Sequence, residues 1–212
     1  ILTIFPKFFD KFSEYGVVGK AIKSNKIDFS TYDIRCHGVG NNKSVDDTPY
    51  GGGAGMVMRP EPFINSVIEL KKSDKYTPYV ILTSPKGNKL NEKKVLELSK
   101  KDCLYILCGR YEGVDQRVID LIVDEEISVG NYIVSGGEVP AMLISDSIIR
   151  KIPKVLGSSD SIKNETFSIN NEYSNKEPVY TKPREFMGIK VPDVLLSGDH
   201  SKIDKWKKDN RF

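Results

Sequence analysis

Residues 104–140 decide the fold of this chain, and they read LYILCGRYEGVDQRVIDLIVDEEISVGNYIVSGGEVP. The first five residues form a continuous apolar run, which predicts a strand buried on both faces of a sheet. The chain then turns at Gly109 and presents Arg110, Tyr111 and Glu112 in succession. Because ligands of open α/β sheets bind beyond the carboxyl ends of the strands, these side chains are expected at a ligand site.

Two more glycine-bearing turns follow in the same stretch. Residues 127–132 carry Gly130, and residues 133–137 end in Gly136 and Gly137. Glycine lets the backbone approach a ligand closely, because it has no Cβ atom. Three such turns close together in sequence predict one pocket whose walls are largely main chain.

The rest of the chain alternates predicted strands with predicted helices. Strands are expected at 1–5, 27–34 and 79–83, the last of these followed by a turn at 84–87. Helices are expected at 60–71, after a cap at Asn91, at 114–122, at 138–151 and at 200–208. Near the start, one helix is expected to bury an aromatic face of Phe8, Phe9, Phe12 and Tyr15. This alternation predicts a parallel α/β sheet, doubly wound on residue patterning alone.

Composition sets the broad class. The 212 residues suffice for one large domain or two small ones, and no apolar run is long enough to span a bilayer. The net charge of +3 gives nucleic-acid binding modest support. The cysteines are Cys36, Cys103 and Cys108, an odd count without CxxC spacing. They argue against a disulfide framework or a zinc site and predict a cytoplasmic protein.

Residues 35–55 form a long polar, glycine-rich segment, and loops of this length in compact domains are usually functional or mobile. Asp46 and Asp47 could hold a cation or a ribose, although solvation of the loop is the simpler interpretation. The run GGGAG at 51–55 is neither a Walker A loop nor a GxGxxG motif. We expect it to let the backbone approach a ligand or another subunit.

Five motifs together resemble a known family. They are VDDTPYGGGAGM at 45–56, LTSPKG at 82–87, GRYEGVDQRV at 109–118, SVGNYIVSGGEVP at 128–140 and PDVLLSGDH at 192–200. Over nearly its whole length the chain resembles the bacterial tRNA (guanine-N1)-methyltransferases of the knotted SPOUT class. The resemblance implies a parallel α/β sheet with a C-terminal trefoil knot and a small helical C-terminal domain. It also implies methylation of guanosine 37 of tRNA, just 3′ of the anticodon, by a homodimer with shared active sites.

The resemblance further implies S-adenosylmethionine as the cofactor and leaves a magnesium requirement open; no metal site is assigned. An adenine can be read by backbone groups between apolar walls, which suits the predicted main-chain pocket. The residues matched to the family's cofactor site are Ser84, Pro85, Gly109, Val129, Gly130, Asn131, Tyr132, Ile133, Val134, Gly136, Gly137 and Pro140.

Methyl transfer to guanine N1 needs an in-line methyl donor, removal of the N1 proton and stabilisation of charge at O6. Arg150 matches the family's arginine that contacts O6, although it would also suit a helix C-terminus. The general base matches Glu165, in the triplet Glu-Thr-Phe where the family has Asp-Ser-Phe. Glu112 is expected to face the cofactor or the target base, with a helix N-terminal role as the alternative.

Substrate contacts are assigned to Tyr111, which could stack on a base or simply pack, to Asp46 and to Arg150.

The chain is expected to divide into three regions. Residues 1–156 are expected to form the knotted, S-adenosylmethionine-binding catalytic domain, and residues 157–178 a polar, flexible linker. Residues 179–212 are expected to begin a helical tRNA-binding domain, which is longer in the resembling family than in this chain.

Other functions compete with the methylation of guanosine 37. Knotted relatives act on ribosomal RNA, and a non-catalytic RNA-binding module would need a basic face but no glycine-lined pocket. A nucleotide-dependent oxidoreductase is disfavoured, because the chain lacks a GxGxxG motif with its downstream acidic residue.

Overall fold

The computed structural model describes residues 1–156, 167 and 176–211. The chain divides into two compact units, Ile1–Gly157 and Ser158–Phe212. In the described part of the chain, no helix is both long enough and apolar enough to cross a membrane. The predicted general base Glu165 lies outside the described residues.

The first unit is organised by a parallel sheet. The strands of this unit are β1 (Leu2–Thr3), β2 (Tyr32–Asp33), β3 (Asp46–Asp47), β4 (Val57–Met58), β5 (Tyr79–Lys89), β6 (Leu104–Cys108) and β7 (Glu125–Ser128). Five of them form one sheet in the order β2-β1-β6-β5-β7, and every pairing in it is parallel. β3 and β4 form a separate antiparallel pair. The predicted parallel α/β sheet is confirmed.

Helices connect these strands. They are α1 (Asp10–Glu14), α2 (Gly16–Lys23), α3 (Pro60–Ser73), α4 (Glu92–Leu98), α5 (Gln116–Ile122) and α6 (Glu138–Ile149), with 3₁₀ turns at Pro6–Phe9 and Ile34–His37. The predicted cap at Asn91 is confirmed, since its Oδ1 accepts a hydrogen bond from the Lys94 amide at 2.9 Å. Asp115 caps α5 in the same way through the Arg117 amide, also at 2.9 Å. Each cap satisfies a backbone donor at a helix start.

The core lies on both faces of the sheet. Along β5, Val80 and Leu82 pack with Phe63 of α3 on one face. Ile81 points to the opposite face and packs with Ile144 of α6. Successive residues of a strand point to opposite faces, so both sets must be apolar when both faces are covered. This is the physical reason for the continuous apolar run that the sequence shows in β6.

Two predictions at the start of the chain are wrong. The four aromatic residues do not share a buried face: Phe9 is buried, whereas 47% of Phe8 and 67% of Tyr15 are exposed. These residues lie on a 3₁₀ turn, on α1 and on the residue that follows α1, and α2 begins at Gly16, whose φ is +65°. The strand expected at 27–34 is reduced to Tyr32–Asp33, which pairs with β1.

Two further predictions change in the middle of the chain. The turn expected at 84–87 lies inside β5, where the pairing with β7 shifts register between Thr83 and Asn88. Residues 35–55 are also more ordered than expected. They contain a 3₁₀ turn and β3, and Asp46 of β3 pairs with Met58 of β4.

The second unit contains the antiparallel pair β8 (Glu185–Phe186) and β9 (Ile189–Lys190), followed by α7 (Asp193–Leu196) and α8 (His200–Asp209). The predicted helix at 200–208 is confirmed, and the carboxylate of Asp199 caps it by accepting from the Lys202 amide at 3.1 Å. The rings of Tyr180 and Trp206 lie 6.3 Å apart. Four lysines lie along α8: Lys202, Lys205, Lys207 and Lys208.

Candidate functional site

A cavity of about 450 Å³ opens at the carboxyl ends of β6 and β7, against the middle of β5 and the first turn of α6. The three glycine-bearing turns of residues 104–140 all contribute to the wall of this cavity. Its position follows from the parallel sheet, because the carboxyl ends of parallel strands meet at one edge.

The cavity brings together nearly the whole predicted cofactor set. Asn131 is the one member outside the lining. The lining members are Ser84, Pro85, Gly109, Val129, Gly130, Tyr132, Ile133, Val134, Gly136, Gly137 and Pro140. Apolar side chains and glycines therefore line the cavity together, as a pocket for a heterocyclic base requires.

Gly137 is held so closely that no side chain fits. Its amide donates to the Gly109 carbonyl at 2.8 Å. A Cβ atom built on Gly137 would overlap Thr83 Oγ1 and lie 2.8 Å from the Cys108 Cα and 2.9 Å from the Gly109 nitrogen. The two turns that line the cavity therefore pack at a distance that only a glycine at position 137 permits.

Tyr111 and Glu112 also line the cavity. Tyr111 has a φ of +59°, a left-handed conformation that costs energy for a residue with a side chain, and 53% of it is exposed. The Glu112 amide donates to the Met56 carbonyl at 3.0 Å. The glycine-rich loop therefore ends directly against the cavity wall.

The other predicted substrate residues lie elsewhere. Neither Asp46 nor Arg150 lines the cavity. Asp46 is held in β3, and Arg150 is the residue that ends α6. Among the described residues, no group of three or more His, Cys, Asp or Glu side chains could hold a metal ion.

The structure adds a pair that the sequence does not reveal. Glu138, 1% exposed, accepts from Arg110 Nε at 3.0 Å and Nη2 at 2.9 Å. In the sequence, Glu138 resembles any carboxylate in the first turn of a helix. The spacing of residues does not indicate that its partner is Arg110, which lies 28 residues earlier in the chain.

The nearby thiol is inert. Cys108 is fully buried, and burial raises the pKa of its thiol well above the usual range, with a further increase from the Glu138 carboxylate. A protonated thiol is a poor nucleophile and a poor metal ligand.

The sequence of this chain matches those of known proteins over nearly its whole length. The family model described as tRNA (Guanine-1)-methyltransferase TrmD matches residues 1–212. The chain belongs to this family. A tRNA (guanine-N(1)-)-methyltransferase of Thermotoga maritima is 47% identical over 212 residues, which span 98% of this chain and 82% of that protein. One from Clostridioides difficile is 43% identical over 99% of this chain and 90% of its own length.

A solved structure agrees. The tRNA (m1G37) methyltransferase from Aquifex aeolicus superposes with a TM-score of 0.81 at 45% identity, covering 97% of this chain and 85% of its own. Membership of this methyltransferase family implies S-adenosylmethionine as the methyl donor. The cavity fits that molecule in one testable respect: glycine-bearing turns line it together with apolar side chains, among them Val129, Ile133 and Val134, as a pocket for an adenine requires.

Proposed function

We propose that this protein transfers the methyl group of S-adenosylmethionine to N1 of guanosine 37 of tRNA, next to the anticodon. The observation that carries the proposal is the joint one: a whole-chain family match, together with a cavity lined by the matched cofactor motifs. A transfer to N1 of a guanine in ribosomal RNA is the alternative within the same chemistry.

The cofactor would be held mainly by main chain. The adenine is assigned to the wall formed by Val129, Tyr132, Ile133 and Val134, where apolar side chains flank backbone donors and acceptors. Gly109 and Gly137 line the same cavity, and the absence of a side chain at Gly137 lets its turn pack against Gly109 and shape that wall. When bound, the cofactor supplies a methyl group on a positively charged sulfur.

The chain's own groups must deprotonate the base and stabilise its oxygen. We assign Glu165 as the general base that takes the N1 proton, and Arg150 as the cation that stabilises negative charge at O6. With the proton taken by Glu165, N1 would have a lone pair free to accept the methyl group that the bound cofactor would supply. Glu112 and Tyr111 lie in the cavity wall, which supports their assignment to contacts with the donor or the target base.

The tRNA-binding part of the proposal extends beyond the cavity. We assign residues 1–156 to the knotted catalytic domain, residues 157–178 to the linker that carries Glu165, and residues 179–212 to a tRNA-binding domain. The lysines of α8 support the last assignment, because backbone phosphates are recognised by positive charge. The cytoplasmic location predicted from the cysteines is part of the proposal, and the family resemblance leaves a magnesium requirement open.

A methylation assay tests the function. Purified tRNA transcripts with G37 should accept one methyl group at N1, whereas transcripts with A37 should accept none, because adenine carries no proton at N1 and no O6. S-adenosylhomocysteine should also raise the unfolding temperature, since a ligand of the native state stabilises it. Methylation of a ribosomal RNA fragment in preference to the G37 transcript would contradict the substrate, and no stabilisation would favour a non-catalytic RNA-binding module.

The subunit arrangement is a separate proposal. Apolar side chains near the cavity are exposed in the single chain: Ile133 is 81%, Val139 53% and Leu143 43% exposed. Val139 and Leu143 lie four residues apart and so share one face of α6. Exposed apolar patches of this kind mark protein interfaces, which supports a homodimer with shared active sites.

Mixed subunits test the sharing. We expect Gly109→Val to block cofactor binding in one subunit and Glu165→Gln to remove the base from the other. In a heterodimer of the two variants, one site combines an intact pocket with an intact base, so activity should return to part of the wild-type level. The measurement is methyl transfer by a tagged, purified heterodimer, with each homodimer as the control. No recovery in a proven heterodimer would show that each site is formed within one chain.

A further inference from the structure

We propose that Glu138 is a positioning residue for the cofactor pocket, acting through Arg110, and that Thr3 in turn fixes Glu138. This inference rests on the proposed function. It starts from the three-residue chain of contacts that joins the first strand of the sheet to the cavity wall.

The carboxylate of Glu138 has a partner on each oxygen. Thr3 Oγ1 donates to Oε1 at 2.8 Å, and Arg110 donates to Oε2 through Nε at 3.0 Å. Glu138 is 1% exposed, and Thr3 is fully buried. A buried carboxylate is very unfavourable without partners, so all three side chains are confined to one geometry.

Arg110 carries this constraint to the pocket. It lines the cavity, and its Nη1 donates to the Ser135 carbonyl at 3.3 Å. Its guanidinium carbon lies 4.6 Å from the centre of the Phe5 ring. A Cβ atom on Gly136 would overlap Arg110 Nε and lie 2.7 Å from its Cδ, so the side chain passes directly over this turn.

The network therefore holds two turns that both line the cavity. One carries Arg110, immediately before Tyr111 and Glu112, and the other runs from Ser135 to Gly137. Glu138 does not line the cavity, and neither does Thr3. Their effect on the cofactor must pass through the position of the turns, and small displacements of binding groups strongly lower affinity and rate.

Two nearly isosteric variants test the inference. Glu138→Gln keeps the size of the side chain but replaces an accepting oxygen with an NH₂ group, so Arg110 loses its charged partner. Thr3→Val removes one donor and leaves the Arg110 pair in place. We expect S-adenosylhomocysteine to bind about tenfold more weakly to Glu138→Gln than to the wild type, which is the effect of about one lost hydrogen bond to a charged group. The loss of affinity in Thr3→Val should be smaller. The KM for tRNA should not change.

A control separates positioning from stability. Lys151 Nζ lies 2.6 Å from Glu92 Oε1 in another largely buried pair, and neither residue lines the cavity. Glu92→Gln should lower the unfolding temperature but leave the affinity for S-adenosylhomocysteine at the wild-type value. Calorimetry measures the affinity and a thermal scan measures the stability.

The outcomes distinguish the two proposals. Wild-type affinity in both Glu138→Gln and Thr3→Val, or an equal loss in Glu92→Gln, would overturn the positioning role while leaving the function intact. If Glu138→Gln does not fold, the affinity of Thr3→Val decides alone. A wild-type protein that fails to bind S-adenosylhomocysteine would overturn the proposed function and this inference with it.

Discussion

Replacing Gly137 with alanine is expected to abolish binding of S-adenosylhomocysteine and to destabilise the first unit. The backbone of Gly137 has a φ of −73°, which alanine adopts freely, so the effect comes from the added methyl group alone. That group would overlap Thr83 Oγ1 and approach the Cys108 Cα to 2.8 Å, and backbone cannot move aside as a flexible side chain can. Overpacking of this kind typically costs about 1–3 kcal/mol. Calorimetry and denaturant unfolding measure the two effects.

Gly109→Ala is the matched control for this variant. Gly109 lies in the same wall, but the atom nearest to a Cβ atom built there is Val114 Cγ2, at 3.2 Å. A valine methyl group can give way by a few tenths of an ångström, so both affinity and stability should fall much less than in Gly137→Ala. Equal affinities for the two variants would show that the contact between the turns does not shape the pocket.

Replacing Glu165 with glutamine is expected to slow methyl transfer by about 10²–10⁴-fold, the usual contribution of a general base. Guanine N1 is a weak nucleophile until its proton leaves, and glutamine cannot take that proton. The affinity for S-adenosylhomocysteine should stay at the wild-type value, because the residue is assigned to the linker and not to the pocket. Single-turnover assays with a G37 transcript measure the chemical step separately from product release.

Two companion variants sharpen this result. Glu165→Asp should keep part of the rate, since the carboxylate remains but its reach is shorter by one methylene. Glu172→Gln removes another linker carboxylate and should leave the rate unchanged. A wild-type rate in Glu165→Gln would move the base to another group, and Glu112, which lines the cavity, becomes the next candidate.

The sheet is predictable from sequence where burial alone decides the pattern. The apolar run at Leu104–Cys108 indicates a strand covered on both faces, and the structure places it in the middle of the sheet. The length of β5 is not predictable in the same way. Residues 84–87 have turn chemistry, yet the strand continues because Asn88 pairs with Ile127 of β7 after the register shift. That pairing is long-range and leaves no local signal.

The site divides along the same line. Glycine-bearing turns after buried strands predict a main-chain pocket, and the structure brings these turns together. The pair of Arg110 and Glu138 spans 28 residues, and that of Thr3 and Glu138 spans 135. Each is created by tertiary packing and has no sequence period. The roles of Asp46 and Arg150 stay predictions, because neither residue lines the cavity.

The order of strands also has a consequence for synthesis on the ribosome. β1 lies between β2 and β6, and Leu2 is paired with Leu107, so the first strand of the unit cannot complete its pairing until the chain has grown through β6. At about 5–20 residues per second, that wait is on the order of 5–20 s. During it the apolar first strand and its neighbouring phenylalanines lack their native packing partners. Newly made chains are therefore expected to recruit chaperones that bind short apolar segments until β6 has been synthesised.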